Sequence, residues 1–535
     1  MSGDQPVATV PPGVPRTERV RIGTDRAVQV EHPTLPVEEL QALRREIANH
    51  CGPAHPNEGT EGTLLTRLVA SPPMELAFLS AVEQARLVRC GEISAVELVR
   101  ASLERIEQLD PLLNSFVTVV ADQALETARL ADSAPTAAPF RGVPIGVKDL
   151  APTAGIRTTY SSRAYANNVP DFDSAVVRRI REAGFVIVGK TNTPEFGTVA
   201  FTESELNGVT RNPWNTDLTP GGSSGGAAAA LAAGLVPAAH ATDGGGSVRI
   251  PASCCGLFGL KPSRGRVSSA PYGVFEGLST AGPLTRSVED AAHLLDVLAG
   301  YEPGDPWWAP PPDRPFATAT HDPPPRLRVA VTSSPPIDLP VAPECLVAVT
   351  SAAALLADLG HDVRHETPPW HAPELFDMFI AVWQVGPALH PIDDVSLLTP
   401  LNRGLVDAAR RASAADYGRT VAALQMLARR IVTFWSEVDV VLTPTLALPP
   451  VPIGWQDVAE GAIPQLRRNT EFTPFTAIAN LTGLPAMSLP LHWTEEGLPI
   501  GVQAIGPPAG DALLLSLAAE LEAVRPWADR RPLVS

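Results

Sequence analysis

The sequence predicts an α/β protein built around a large mixed β-sheet, because short apolar segments rich in β-branched residues alternate with longer segments of helical periodicity. The chain has 535 residues, of which 44% are apolar, so it can bury a substantial core. Buried strands are predicted at residues 143–147, 185–188, 438–442 and 500–505, and helices at 174–183, 226–235, 287–300, 344–359, 405–436 and 511–523.

The chain divides into two parts of unequal regularity. Residues 1–74 are predicted to be an N-terminal extension, a flexible arm rich in Pro, Thr and Val followed by a short helix, and residues 75–535 to be the main domain. Near the start of that domain, Ser94 and Glu97 form a capping box ahead of a helix. A Pro-rich stretch at 303–325 is predicted to be a loop within the domain.

Composition limits the classes of partner. The net charge of −17 disfavours nucleic acid and anionic membranes, since both require a basic surface. No secretory signal is evident, and the apolar stretch at 227–239 is too short to cross a bilayer, so a cytoplasmic protein is expected. The five cysteines form no CxxC pair, which argues against a disulfide scaffold or a zinc site. The oligomeric state stays open, a homodimer included.

Lysine is rare in this chain, which draws attention to the three that occur: Lys148, Lys190 and Lys261. A buried lysine can lose its proton and act as a base, whereas arginine stays charged. Lys148 ends an apolar strand, where burial would lower its pKa; to be half neutral at pH 7 that pKa must fall from about 10.4 to about 7. The alternative is a strand-end lysine that pairs with Asp149 in solvent.

Two glycine-rich segments carry serines. Residues 221–226 (GGSSGG) lead into an Ala-rich helix, so the hydroxyls of Ser223 and Ser224 could be held rigidly at its start; a flexible linker is the alternative. Residues 242–252 (TDGGGSVRIPA) place three glycines before Ser247, and their bare amides could converge on an oxyanion. Asp243 and Arg249 flank this turn and could pair to brace it, although a plain Gly-rich turn is also open.

Together these segments resemble the amidase signature family. Its signature, GGSSGG followed by DxGGSxRxPA, is present at 221–252, and its VPxxVKD stretch at 143–149. Further family-like stretches are GKTNTPEFG (189–197), RNPWN (211–215), CGLFGLKPSRGRVS (255–268) and GLPIGVQAIG (497–506). The resemblance covers about residues 75–525 and implies a large mixed sheet flanked by helices on both faces. Among family members the chain looks similar to aryl acylamidases and to hydrolases of aminohexanoate oligomers.

The resemblance also implies a role for each residue of the site. Ser247 corresponds to the nucleophile, Lys148 to the base, and Ser223 to a bridging serine held by a cis peptide bond. The oxyanion hole corresponds to the amides of Gly244, Gly245, Gly246 and Ser247, and the supporting residues are Ser224, Asp243 and Arg249. The implied activity is hydrolysis of a small amide through an acyl-enzyme, with no metal or organic cofactor. Two positions depart from the family: Ala241 stands where glycine is common, and Gly244 stands at a variable position.

The same motifs are compatible with other functions. Carbamate or ester hydrolysis would use the same machinery. Residues 221–225 also fit the GxSxG nucleophile elbow, which would make Ser223 the nucleophile of an α/β-hydrolase, and residues 184–191 fit the P-loop pattern. Neither motif has the local structure it requires. No strand is predicted directly before residues 221–225, and the residues between the two glycines of the P-loop pattern are themselves predicted to be a strand. Within the family, the amidotransferase A subunit that acts on glutamyl-tRNA needs partner subunits and typically has Gln in place of Ile250. Ile250 therefore favours a free-standing hydrolase.

The substrate pocket is less specified than the catalytic residues. Five aromatic residues are candidates to line it, with packing in the core as the more frequent alternative for each: Phe376, Phe379, Trp383, Trp435 and Phe472. If they do, the substrate is a neutral and fairly apolar amide, such as an aryl amide.

Overall fold

An eleven-stranded sheet organises the computed structural model, which describes residues 74–133, 137–272, 277–458 and 461–535. The strands are β1 Phe116–Val119, β2 Pro144–Lys148, β3 Val186–Thr191, β4 Glu203–Ser204, β5 Gly208–Val209, β6 Ala238–Asp243, β7 Phe258–Lys261, β8 Thr280–Thr285, β9 Arg328–Val331, β10 Asp362–His365, β11 Val440–Pro444, β12 Ala486–Trp493 and β13 Pro499–Ile505. Strands β4 and β5 pair separately. The predicted N-terminal arm and its short helix lie outside the described residues.

Helices connect most of these strands. They are α1 Met74–Phe78, α2 Ala81–Arg89, α3 Ala95–Leu113, α4 Ala121–Ser133, α5 Ala175–Glu182, α6 Gly225–Ala232, α7 Arg249–Cys255, α8 Val288–Leu298, α9 Phe316–Ala319, α10 Pro343–Asp358, α11 Leu375–Trp383, α12 Val385–Ala388, α13 Pro400–Arg411, α14 Ala414–Val432, α15 Ala462–Phe472, α16 Ala477–Thr482 and α17 Asp511–Val524. Single 3₁₀ turns lie at Arg163–Tyr165, Glu195–Gly197, Val395–Leu397 and Thr433–Ser436. No helix in these ranges is both long and apolar enough to span a bilayer.

The sheet is mixed, as predicted. Its order is β1-β3-β2-β6-β8-β7-β12-β13-β11-β9-β10. Strand β2 runs parallel to both β3 and β6, and β9 runs parallel to β10 and β11, whereas the strands between them pair antiparallel. The position of β2 between two parallel strands matters for function, because the ends of parallel strands meet at one edge of the sheet.

Both faces of the sheet are buried. On strand β3 the side chain of Ile187 belongs to one core and those of Val186 and Val188 to the other, which follows from the alternation of side chains along a strand. Helices α5, α8, α10 and α17 cover the first face, and α3, α6 and α7 cover the second. The predicted helices on both faces are therefore present.

Three features differ from the sequence prediction. The Pro-rich stretch at 303–325, predicted to be a loop, contains the short helix α9. The single helix predicted at 405–436 is two helices, α13 and α14, because Ser413 caps the second one by accepting a hydrogen bond from the Asp416 amide. Strand β6, which the sequence did not predict, begins in the last two residues of the apolar stretch at 227–239, and its residues have low β propensity. Its pairing with β2 and β8 makes it a strand.

Candidate active site

Lys148 lies at the end of β2, and its amine is hydrogen-bonded within the protein. The Nζ atom donates to Ser223 Oγ at 2.8 Å and to Thr242 Oγ1 at 3.0 Å. The side chain is fully buried. The alternative of a solvent-exposed pair with Asp149 is therefore wrong; the Asp149 carboxylate instead accepts from the Thr159 amide and hydroxyl. Residues 75 positions apart in sequence meet here because the sheet brings the ends of β2 and β6 together beside the start of α6.

Burial lowers the pKa of all three lysines to about 7, so this property does not single out the base. Hydrogen bonding distinguishes them. Lys190 donates to the Ala151 carbonyl and to the Thr153 hydroxyl, and Lys261 donates to the Pro262 carbonyl. Of the three, Lys148 contacts a serine that the family motif assigns to catalysis.

Ser223 and Ser224 lie at the start of α6. The Gly222–Ser223 peptide bond is cis, as the resemblance implies. The Ser224 hydroxyl bonds both backbone groups of Thr242, at 3.3 and 3.4 Å, and so ties this loop to the end of β6. Gly226 must be glycine, because a side chain there would collide with the backbones of Ser115 and Asn192.

A buried ion pair supports the turn that carries Ser247. Arg249 donates to both carboxylate oxygens of Asp243, at 2.8 and 2.9 Å, and neither side chain is exposed. Arg249 also donates to Asn480 and Gln503. Burial by itself would raise the pKa of Asp243, but the charge and hydrogen bonds of Arg249, helped by the Lys261 charge and the Asn480 hydrogen bond, together outweigh it and lower that pKa to about 2. The predicted brace between Asp243 and Arg249 is therefore present.

The amides of the turn are not equivalent. The Gly246 N–H donates to Asp243 Oδ1 at 2.8 Å. This amide was expected to bind the oxyanion, but it is part of the brace instead. The amides of Gly244, Gly245 and Ser247 have no acceptor among the residues that the structure describes. These three remain available to a ligand at the turn.

A cleft opens above this turn, with a volume of about 840 Å³ that includes the solvent space at its mouth. Ser247 and Gly245 lie at its base, and Phe376, Phe379 and Trp383 form part of its wall. None of the described residues that line it is charged. The other lining residues are Gly197, Thr198, Val199, Ala200, Ile250, Ile337, Leu375, Ile380, Leu466, Asn469, Thr470, Thr473, Pro474, Ala477, Ile478 and Leu481.

Two aromatic residues predicted for the pocket are elsewhere. Trp435 is buried in the apolar core that α14 and α16 form beside the cleft, and it does not line the cleft. Phe472 is fully buried and stacks on Phe201. A bulky apolar residue reads the same in sequence whether it faces a cavity or packed side chains, so the pattern could not separate these two from Phe376, Phe379 and Trp383.

Sequence reasoning missed two residues at the site. Thr242 accepts a hydrogen bond from Lys148. Its position directly before Asp243 in the motif is the sequence signal that could have identified it. Glu195 is buried and accepts four hydrogen bonds from the groups around it, donated by the side chains of Ser162, Thr399 and Asn402 and by the Thr399 amide. It lies in the GKTNTPEFG stretch, and Gly197 of the same turn faces Ser223.

The geometry does not favour the two competing motifs. Residues 186–191 of the P-loop pattern form β3, so their backbone groups are engaged in sheet pairing. Ser223 follows a stretch with isolated bridges and turns, without the strand that a nucleophile elbow requires. Within the described ranges, no histidine is hydrogen-bonded to Ser223.

Comparison with known proteins gives a consistent family assignment. The family model described as "Amidase" matches residues 97–515. The 6-aminohexanoate-cyclic-dimer hydrolase of Paenarthrobacter ureafaciens is 38% identical over 84% of this chain and 96% of its own. A solved structure of 6-aminohexanoate cyclic dimer hydrolase complexed with substrate superposes with a TM-score of 0.81, at 36% identity over 86% of this chain and 100% of that one. A bacterial aryl acylamidase gives a TM-score of 0.77 at 28% identity, over 85% and 98%.

Proposed function

The chain belongs to the amidase signature family of amide hydrolases, and we propose that it cleaves a small, uncharged, apolar amide through Ser247, Ser223 and Lys148. The observation that carries this proposal is the hydrogen bond from Lys148 to Ser223, 2.8 Å long and buried beneath an uncharged cleft with Ser247 at its base. A serine is a weak nucleophile until a base takes its proton, and Lys148, whose pKa burial lowers to about 7, is half neutral near pH 7.

The first half of the reaction forms an acyl-enzyme. Neutral Lys148 takes the proton of Ser223 as Ser223 takes the proton of Ser247, and Ser247 Oγ attacks the substrate carbonyl carbon. The amides of Gly244, Gly245 and Ser247 donate to the oxyanion of the tetrahedral intermediate. Ser223 then returns a proton to the departing nitrogen, and the carbon–nitrogen bond breaks.

The second half regenerates the enzyme. Water loses a proton to the same Ser223–Lys148 pair as its oxygen attacks the acyl carbon, and Ser247 leaves with the returned proton. Thr242 holds the Lys148 amine from its other side and fixes its direction towards Ser223. The products are a carboxylic acid and an amine.

The chemistry of the cleft indicates the class of substrate. An ionised group would have to leave water without a partner, because no described lining residue is charged. A neutral amide with an apolar group on either side of the scissile bond meets no such penalty. Carbamates and esters present the same carbonyl to the same groups, so they belong in the first assay.

The experiment is hydrolysis of a panel of anilides, aliphatic amides, carbamates and esters by the wild type and four variants. Ser247→Ala and Lys148→Ala are expected to lose turnover. An α/β-hydrolase with Ser223 as nucleophile would also need a downstream histidine, and His390→Ala tests one candidate. Ser133→Ala removes an exposed hydroxyl more than 100 residues before Ser247 as the matched control. Both variants are expected to keep turnover. Turnover that survives Ser247→Ala would overturn the mechanism and return attention to Ser223 as the nucleophile.

A further inference from the structure

Trp383 lies between the loop that contains Thr198 and the glycine turn that precedes Ser247, and it contacts both. It ends α11, and its indole Nε1 donates to the Thr198 carbonyl at 3.1 Å. Its ring stacks on Phe379, with centroids 5.4 Å apart and planes 23° apart. Both aromatic rings line the cleft above Ser247. The hydrogen bond and the stacking contact together hold the indole in one orientation.

The indole occupies the space that a side chain at Gly244 would need. A methyl group on Gly244 would lie 3.0 Å from the indole Cη2 atom and 3.2 Å from Cζ3. The backbone of Gly244 does not have a positive φ, whereas Gly246 has φ 131°. Glycine at 244 is therefore not required by its backbone conformation, but an alanine there would press on Trp383, whose ring would have to shift by a few tenths of an ångström.

This contact explains the sequence departure at position 244. A larger residue at this variable position would push the indole away from the turn. Glycine lets the aromatic ring approach the turn whose amides face the reacting carbonyl. Gly245, Ser247 and Trp383 line the same cleft, so a substrate whose carbonyl reaches Ser247 shares that cleft with the indole.

We propose that Trp383, seated against Gly244, is the specificity-determining residue of this cleft and selects substrates with a flat, uncharged group next to the scissile bond. An aryl or other conjugated group can stack on the fixed aromatic wall, whereas a saturated group of equal size cannot. The inference rests on the proposed amide hydrolysis and names the substrate class for it.

The first experiment compares aromatic and saturated substrates of matched size. The pairs are benzamide with cyclohexanecarboxamide and N-phenylacetamide with N-cyclohexylacetamide, which place the ring on either side of the scissile bond. Trp383→Leu is expected to lower kcat/KM for the aryl member of at least one pair by about three- to tenfold more than for its saturated partner, the range that aromatic stacking gives. Trp308→Leu, which removes an exposed tryptophan on the Pro-rich loop, is the matched control. Equal losses within both pairs would overturn the inference.

The second experiment tests the contact with Gly244. Gly244→Ala is expected to lower kcat/KM by more than tenfold, and Trp383→Leu in the same chain is expected to recover most of that loss. Gly245→Ala adds the same methyl one residue along, where the nearest atom, Phe379 Cζ, would lie 3.7 Å away, so its loss is expected to be smaller and not relieved by Trp383→Leu. A double variant no better than Gly244→Ala would contradict the steric argument.

A binding measurement separates this inference from the proposed function. The Ser247→Ala protein, which is not expected to turn over substrate, is titrated with both substrate pairs by calorimetry, with and without Trp383→Leu. Tighter binding of an aryl member that Trp383→Leu abolishes supports the inference even if the wild type hydrolyses none of these compounds. Equal dissociation constants in both pairs overturn it, whatever the outcome of the hydrolysis assay.

Discussion

Lys148 makes a quantitative prediction about the pH dependence of activity. Burial lowers its pKa to about 7, against the opposing influence of Asp243, and the proposed base is its neutral form. The neutral fraction is then about one in eleven at pH 6, about one half at pH 7 and about ten in eleven at pH 8. We expect kcat/KM to rise about tenfold from pH 6 to pH 8 and to level off above pH 8.

The variant that tests this prediction is Lys148→Met, which approximately keeps the length of the side chain and removes the amine. Ser223 then has no base, and the expected loss in kcat/KM is about 10²- to 10⁴-fold, the range of general-base catalysis. The remaining activity should no longer rise between pH 6 and pH 8. The assay is initial-rate hydrolysis of the best substrate of the panel at half-unit pH steps, with folding checked by circular dichroism at each pH.

Lys190→Met and Lys261→Met are the matched controls, because their amines have the same lowered pKa and bond backbone and threonine oxygens. Both variants are expected to keep the rise between pH 6 and pH 8. Loss of that rise in either control, or its persistence in Lys148→Met, would refute the assignment of Lys148 as the base.

Three further predictions concern the residues around the base. Thr242→Val should lower kcat several-fold with little change in KM, because the hydroxyl that orients Lys148 is lost; an unchanged kcat would count against that role. Asp243→Asn should shift the rise in kcat/KM to lower pH, because the Asp243 carboxylate raises the pKa of Lys148; a shift of the pH profile to higher pH would contradict the electrostatic argument. The same variant should lower the free energy of unfolding, measured by denaturant melts, by about 3 kcal/mol, because it leaves Arg249 buried without its partner. Glu195→Gln replaces a carboxylate oxygen that accepts hydrogen bonds with an NH₂ group that cannot accept them, and should lower the free energy of unfolding by about 1–3 kcal/mol. A free energy of unfolding equal to that of the wild type would show that these hydrogen bonds contribute little.

The site residues could be read from the sequence because their chemistry is local. A glycine run before Ser247 and a Gly-Ser turn before an alanine-rich helix fix the backbone within a few residues. The brace between Asp243 and Arg249, the capping box at Ser94 and Glu97, and several buried strands were predicted correctly for the same reason. Each depends on side chains or backbone groups that are close together along the chain.

Tertiary structure decided what depends on distant segments. Strand β6 forms because β2 and β8 supply its hydrogen-bond partners, although its own residues do not favour a strand. Burial lowers the pKa of three lysines alike, and the fold places just one of them, Lys148, against Ser223.

The cleft shows the same division. The sequence alone predicted the family and the mixed sheet correctly, and the residues proposed for catalysis all lie in its short ordered motifs. Which aromatic side chains line the cleft depends on how α11 packs beside the glycine turn: Trp383 lines the cleft and contacts Gly244, while Trp435 and Phe472 are buried among other side chains. Apolar side chains gain similar free energy from burial against protein or beside a cavity, so hydrophobicity along the chain cannot tell these positions apart.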